Sequence, residues 1–124
     1  MGVRVPLGVH DMNKFSGIVQ KGAGYGHWLG FPTVNIPLPD ESVSGIFAAK
    51  VHVEGKEYKA ASYADVKNKT LEAHLLDFDG DVYGKSIEIE LLEKIREDVQ
   101  FTSESDAKEK IAADIAAIRT YFNR

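Results

Sequence analysis

Two polar side chains with hard oxygen atoms lie close together in the segment Phe31-Pro32-Thr33-Val34-Asn35. On an extended segment, residues two apart face the same side, so Thr33 and Asn35 are expected to point together. A hydroxyl group and an amide carbonyl are oxygen ligands that suit Mg²⁺ when phosphate oxygens and water complete its coordination. The pair therefore predicts a site for magnesium and phosphate. Two polar residues on an exposed strand face are the plainer interpretation of the same pattern.

A glycine-rich segment comes just before this pair, with Gly22, Gly24 and Gly26 at alternate positions. Glycine lets backbone N–H groups approach phosphate oxygens closely, so the segment is a candidate phosphate-binding loop. It is not a P-loop, because no Gly-Lys-Ser/Thr follows, and Phe31-Pro32-Thr33 does not begin the helix that a dinucleotide fingerprint requires. A flexible hairpin loop is the alternative.

Glu72 is the third candidate, since it lies near the start of an otherwise strongly apolar strand. A carboxylate at the mouth of a barrel can act as a general base toward a hydroxyl group. A solvated glutamate at a strand end would look the same in the sequence. His74 shares the face of Glu72 two residues later, and we expect it to pack rather than to assist.

Most of the chain has the hydrophobic pattern of short strands. Phe47, Ala49, Val51 and Val53 alternate with polar residues, and similar alternation recurs before and after them. A period of two predicts half-buried β-strands, about five or six in all. Glu54-Gly55-Lys56 is a hairpin-turn signal, and Tyr58 to Asp65 reads as a weaker strand.

The period changes near the C-terminal end, where one apolar stripe has the spacing of an amphipathic helix: Ala107, Ile111, Ile115, Ile118 and Phe122. Ser103 with Asp106 three residues later predicts the capped start of this helix. Strands followed by one amphipathic helix indicate a mainly β protein, namely a small antiparallel barrel that the helix closes or plugs.

Composition limits the classes of function. The chain has 124 residues with 15 basic and 19 acidic side chains, so its net charge is −4. This acidic balance disfavours a nucleic-acid-binding barrel. The lack of cysteine excludes disulfides, zinc–thiolate sites and a thiol nucleophile. No apolar run approaches the ~20 residues of a membrane helix, so we expect no membrane partner. We also expect a monomer and a cytoplasmic location. Residues 1–14 are predicted to be a leader of unknown role, and residues 15–124 the domain.

Three blocks occur in an order that resembles one family over almost the whole chain, from Phe15 to about Phe122. The first is Gly22-x-Gly24-x-Gly26-x-x-Leu29-Gly30-Phe31-Pro32-Thr33-x-Asn35. The second runs from Leu71 to Gly84, and the third comprises Ile95-Arg96, Phe101, Ser103, Ile111 and Asp114. Together these blocks resemble the riboflavin kinase (flavokinase) family.

The resemblance implies a six-stranded antiparallel Greek-key β-barrel with a C-terminal α-helix. It implies that ATP donates its γ-phosphoryl group to the 5′-hydroxyl of riboflavin with Mg²⁺, giving FMN and ADP. By the same resemblance, Thr33 and Asn35 bind the metal and phosphate oxygens, and Glu72 is the base. The adenylyltransferase module that many bacterial relatives carry before this domain, and hence FAD synthesis, is not expected.

The resemblance also assigns residues to the two substrates. The nucleotide side comprises Lys21, Gly22, Gly24, Gly26, Pro32 and Thr33. The flavin side comprises Arg96, Phe101 and Asp114.

The chain departs from the family pattern at three places. Tyr25 stands where the family usually has arginine, which leaves Lys21 as the nearby cation. The family's Gly-Val-x-Asn-Ile-Gly, followed by Pro-Thr, is replaced by the sequence from Ala60 to Val66 and a short loop. Glu97 follows Arg96 where proline is common. A catalytically weak or inactive barrel that binds flavin or nucleotide is therefore the alternative, although a pure binding protein needs no base such as Glu72. We expect ATP as the donor.

Overall fold

The computed structural model describes residues 13–20, 33–39, 42–78, 82–98 and 100–123. These residues form six antiparallel strands and one helix, so the predicted mainly β class is confirmed. The elements are β1 (Lys14–Ile18), β2 (Val34–Pro37), β3 (Gly45–Val53), β4 (Lys56–Asp65), β5 (Thr70–Leu75), β6 (Ser86–Arg96) and α1 (Glu104–Phe122). β1 begins at Lys14, the last residue of the predicted leader. The division into a leader and a domain otherwise stays a prediction.

The strand order is β1-β6-β3-β4-β5-β2. β3, β4 and β5 follow one another as neighbours, and β6 returns to lie beside β3, which is the Greek-key arrangement. The two edge strands approach each other where Gln20, just beyond β1, donates a 2.8 Å backbone hydrogen bond to Asn35 O. The sheet is therefore a nearly closed barrel, as predicted.

The inside of the barrel is filled by alternate residues of all six strands. The apolar set predicted on β3 lines this interior: Phe47, Ala49, Val51 and Val53. The β3–β4 connection is the predicted turn, in which Glu54 and Gly55 have φ values of 52° and 77°. Two successive positive φ values are typical of the tight turns that join antiparallel strands.

Helix α1 lies against the outside of β3, β4 and β6. Its residues Ile111 and Ile118 form a second apolar cluster, the helix-side cluster, with outward-facing Ile46, Ala48 and Ala61. Of the two predicted possibilities, that the helix closes or plugs the barrel, plugging is wrong, because inward side chains of the strands already fill the interior. The predicted cap is confirmed, since Ser103 Oγ accepts a 3.0 Å hydrogen bond from Asp106 N.

β4 is not the weak strand that its sequence predicted, because it runs for ten residues and is paired on both edges. Its alanines have modest intrinsic preference for strands, but pairing with β3 and β5 overrides that preference. Ala60 and Ala64 pack in the barrel interior and Ala61 packs on the helix side, and all three are at most 1% exposed.

Gly45 begins β3 in a conformation that excludes other residues. Its φ is 103°, and an added Cβ would lie 2.6 Å from the carbonyl oxygen of Arg96 and 2.8 Å from Lys94 Cε. Gly84 also has a positive φ of 82°, but a Cβ added there would meet nothing within 4 Å. A substitution at Gly84 therefore causes backbone strain alone, whereas one at Gly45 causes both strain and a steric clash.

We predict that Gly45→Ala lowers the free energy of unfolding by about 2–5 kcal/mol, since strain and clash add. Gly84→Ala should lower the free energy of unfolding by about 1–2 kcal/mol, because this substitution introduces backbone strain without a clash. Urea denaturation of both variants measures the difference. Equal losses would show that the Arg96 carbonyl does not constrain this position.

Candidate active site

The polar candidates from distant parts of the sequence lie in one row across the outside of the barrel. Asn35 on β2 is directly opposite Glu72 on β5. Glu72 is in turn opposite Tyr63 on β4. The same row continues through Ile46 on β3 to Arg96 on β6. Directly opposite residues of antiparallel strands have Cβ atoms about 5 Å apart, so Asn35, Glu72 and Tyr63 are immediate neighbours.

The Asn35 end of the row carries the predicted magnesium residues. Thr33 lies just before β2 and is half-buried, as is Asn35. Gln20 and Thr33 flank residues 21–32, and both are close to Asn35, the first through its backbone hydrogen bond and the second along the chain. The five other residues predicted for the nucleotide lie outside the described residues: Lys21, Gly22, Gly24, Gly26 and Pro32.

Glu72 is the central member of the row and is buried, with only 7% of its surface exposed. Its neighbours Leu71 and Ala73 point into the barrel. Because side chains alternate along a strand, Glu72 points to the outside. The backbone of Glu72 is fixed because its carbonyl accepts a 2.7 Å hydrogen bond from Ser62 Oγ. The plain interpretation of a solvated strand-end glutamate is therefore wrong, and a carboxylate held away from water is suited to proton transfer.

Tyr63 is the member of the row that sequence reasoning missed. Its hydroxyl group donates a 2.7 Å hydrogen bond to Asp98 Oδ2, which lies just after β6. Burial, and then the hydrogen bond to Asp98, raise the pKa of Tyr63 far above its ordinary value. The negative charges of Asp65, Asp98 and Glu72 raise it further. The sequence signal was the outward alternation of β4, which becomes informative only when its register against β5 is known.

Arg96 and Asp114, both predicted on the flavin side, are brought together by a bidentate ion pair. Arg96 Nε and Nη2 donate to the two carboxylate oxygens of Asp114 at 2.8 and 2.7 Å. Arg96 Nη1 also donates a 3.0 Å hydrogen bond to Glu97 O. Asp114 is 3% exposed, so the pair joins the middle of α1 to the end of β6. Phe101 packs against the same helix-side cluster.

Within the described ranges, no group of three or more His, Asp or Glu side chains is arranged to bind a metal ion. The Asn35 end of the row offers a different pair of donors, namely the Thr33 hydroxyl and the Asn35 amide oxygen. Both are hard oxygen donors, and this chemistry fits magnesium whose other ligands are phosphate oxygens and water. Among the same residues, no helix is long and apolar enough to cross a membrane.

A family model described as riboflavin kinase (Flavokinase) matches residues 10–122. Among curated proteins, the chain is 37% identical over 117 residues to a trifunctional protein RibF/MnmA of Mycoplasmoides gallisepticum, covering 87% of this chain and 18% of that protein. It is 34% identical over 119 residues to a bifunctional riboflavin kinase/FMN adenylyltransferase of Haemophilus influenzae, covering 89% of this chain and 39% of that protein. The chain thus spans less than two fifths of these relatives' length.

Two solved structures are similar to the fold. A riboflavin kinase from Trypanosoma brucei has a TM-score of 0.64 and 26% identity, covering 90% of this chain and 80% of that chain. A protein described as a macrolide-efflux protein from Streptococcus pneumoniae has a TM-score of 0.73 and 23% identity, covering 96% of this chain and 44% of that chain. The second likeness shows the fold alone.

We predict that Asp114→Ala lowers the free energy of unfolding by about 3 kcal/mol, because it leaves the Arg96 guanidinium half-buried without its partner. The double variant Arg96→Met/Asp114→Leu should recover most of that loss, since it removes both charges and keeps apolar volume. Glu104→Ala breaks an exposed ion pair with Lys108 and should change stability little. Urea denaturation of the three variants measures these changes in stability. An Asp114→Ala variant as stable as the wild type would contradict the prediction.

We also predict that Tyr63 stays neutral in the folded protein at about pH 11, above the ordinary tyrosine pKa of about 10. Folded wild type and Tyr63→Phe should then show the same tyrosinate absorbance, and should differ by one tyrosine only after alkaline unfolding. The raised pKa contributes stability that is complete below about pH 10 and is lost as the pH rises above it. A smaller folded-state signal in Tyr63→Phe would contradict the buried hydrogen bond.

Proposed function

The chain belongs to the riboflavin kinase family, and we propose that it transfers the γ-phosphoryl group of ATP to the 5′-hydroxyl of riboflavin. The products would be FMN and ADP. The observation that carries this proposal is the register that sets Asn35 directly opposite the buried Glu72. A ligand for a phosphate-bound metal is thereby adjacent to a carboxylate that can receive a proton. Phosphoryl transfer needs mainly such positioning and charge neutralisation from the protein.

Glu72 would act as the general base. The riboflavin hydroxyl oxygen forms a bond to the γ-phosphorus while the bond from that phosphorus to the β–γ bridging oxygen breaks. The hydroxyl proton passes to the Glu72 carboxylate, and ADP leaves with the bridging oxygen. The burial of Glu72 supports this role, because the carboxylate is held in one place and is poorly solvated.

Thr33 and Asn35 would hold Mg²⁺ through their hydroxyl and amide oxygens. When bound, the metal neutralises charge on the transferring phosphate oxygens. Lys21, Gly22, Gly24, Gly26 and Pro32 remain proposed nucleotide residues. With Tyr25 where relatives have arginine, Lys21 is the cation proposed to approach the phosphates.

Arg96, Phe101 and Asp114 are proposed for the flavin side. Arg96 lies at the far end of the row from Asn35, and Phe101 belongs to the connection that follows it. Both carboxylate oxygens of Asp114 accept from Arg96. Asp114 would therefore contribute by holding Arg96 in place rather than by touching flavin itself. The ion pair keeps the end of β6 and the helix together at this side of the barrel.

Two further properties stay predictions, namely that the protein is a monomer and that it is cytoplasmic. Light scattering coupled to size-exclusion chromatography measures the mass in solution, and cell fractionation measures the location. A dimeric mass, or recovery with the membrane fraction, would contradict the respective expectation.

We predict that Glu72→Gln lowers the rate of FMN formation ~10²–10⁴-fold, because the amide keeps the shape and cannot accept the proton. Glu88→Gln is the matched control, since Glu88 is a half-buried glutamate on a strand and lies opposite His52, away from the row. Thermal unfolding verifies that both variants fold. A Glu72→Gln rate within threefold of wild type would remove Glu72 from the mechanism.

We predict that Asn35→Ala raises the magnesium concentration required for half-maximal activity by about tenfold, the cost of one lost charge-assisted oxygen contact. The Asn35 backbone hydrogen bond to Gln20 does not involve the side chain, so the strand pairing should survive. A magnesium titration at fixed ATP measures the effect. An unchanged titration curve would remove Asn35 from the proposed metal site.

A further inference from the structure

The order of the row gives the proposed site two sides. Asn35, Glu72 and Tyr63 belong to the neighbouring strands β2, β5 and β4. Adjacent strands are about 4.8 Å apart, so Asn35 and Tyr63 flank Glu72 at opposite sides. If the metal and the phosphates of ATP occupy the Asn35 side, the hydroxyl that Glu72 deprotonates must approach from the Tyr63 side.

The Tyr63 side is bordered by the connection between β6 and α1, of which residues 97–98 and 100–103 are described. Other contacts hold the two ends of this connection. At its start, Glu97 O accepts a hydrogen bond from Arg96 Nη1. At its end, Thr102 N donates a 2.9 Å hydrogen bond to Asp106 Oδ2, beside the Ser103 cap. Asp98 lies in the stretch between these two ends.

Tyr63 contacts this stretch directly through its 2.7 Å hydrogen bond to Asp98. Tyr63 is buried, with 9% of its surface exposed, whereas Asp98 is exposed. A buried strand residue thus binds the carboxylate of a residue on the surface. Nothing in the proposed chemistry uses the Tyr63 hydroxyl, although Tyr63 is directly opposite the proposed base.

We propose that Tyr63 is a positioning residue for the acceptor substrate: through Asp98 it fixes the β6–α1 connection beside Glu72, and so shapes the side at which riboflavin binds. This inference rests on the proposed function. It assigns the Tyr63–Asp98 bond to substrate affinity, while Glu72 and the Asn35 side determine the rate of phosphoryl transfer. Loss of the bond should therefore affect KM for riboflavin and leave kcat and KM for ATP nearly unchanged.

The test variant is Tyr63→Phe, which keeps the buried ring and removes only the donor. We expect KM for riboflavin to rise about tenfold, the cost of losing one hydrogen bond to a charged group. We expect kcat to stay within threefold of wild type. Tyr58→Phe is the matched control, because Tyr58 lies on the same strand and its ring packs on Phe78, away from the row. It should leave KM for riboflavin unchanged.

Two substitutions of Asp98 separate positioning from general loss of structure. Asp98→Asn keeps an oxygen that can accept from Tyr63 and should stay near the wild-type KM. Asp98→Ala should raise KM as much as Tyr63→Phe does, and the double variant should add little to either. Amide hydrogen exchange provides a readout that does not depend on activity. In Tyr63→Phe it should become faster around Asp98 and stay unchanged in β5.

The outcomes distinguish this inference from the function on which it rests. A wild-type protein that forms FMN, with an unchanged riboflavin KM in Tyr63→Phe, would overturn the role of Tyr63 alone. A fall in kcat with KM unchanged would overturn it as well, because Tyr63 would then act on the chemical step. A wild-type protein that neither forms FMN nor quenches riboflavin fluorescence would overturn the proposed function together with this inference.

Discussion

The register of β2, β5 and β4 is the constraint on which the rest of the site depends. A shift of one residue along β5 would turn Glu72 into the apolar barrel interior and bring Leu71 and Ala73 to the outside. Burying a carboxylate among apolar side chains without a partner is so costly that the alternative register is excluded. The same alternation that fills the barrel therefore also fixes where Asn35, Glu72 and Tyr63 meet.

A second interaction attaches the helix to this frame. The barrel interior and the helix-side cluster are separate apolar groups on the two faces of one sheet. The partly buried Arg96–Asp114 ion pair lies on the helix side. It requires α1 to be docked at one position along β6, since a bidentate pair tolerates little displacement. The connection between these elements is thereby held at both ends, and Tyr63 contacts it in between.

Much of the fold could be predicted from the sequence, because hydrophobic periodicity reports directly which face of an element is buried. The alternation in β3, the Glu54-Gly55 turn and the Ser103 cap are local signals, and all were confirmed. The side of the barrel on which α1 packs was not predicted, because an apolar stripe does not specify its partner. The strength of β4 was underestimated for a related reason: its stability comes from pairing at both edges. The burial of Glu72 and the Tyr63–Asp98 hydrogen bond also depend on distant residues, so no local pattern indicates them.

The measurement that tests the central claim most directly follows a labelled phosphoryl group. Purified protein is incubated with riboflavin, magnesium and ATP that carries a radioactive γ-phosphate, with CTP as a parallel donor, and FMN is separated by chromatography. The account predicts labelled FMN with ATP. Labelled FMN with CTP alone would keep the reaction and contradict the donor. Riboflavin fluorescence quenched on binding, with no FMN from either nucleotide, would contradict the kinase and indicate a flavin-binding barrel.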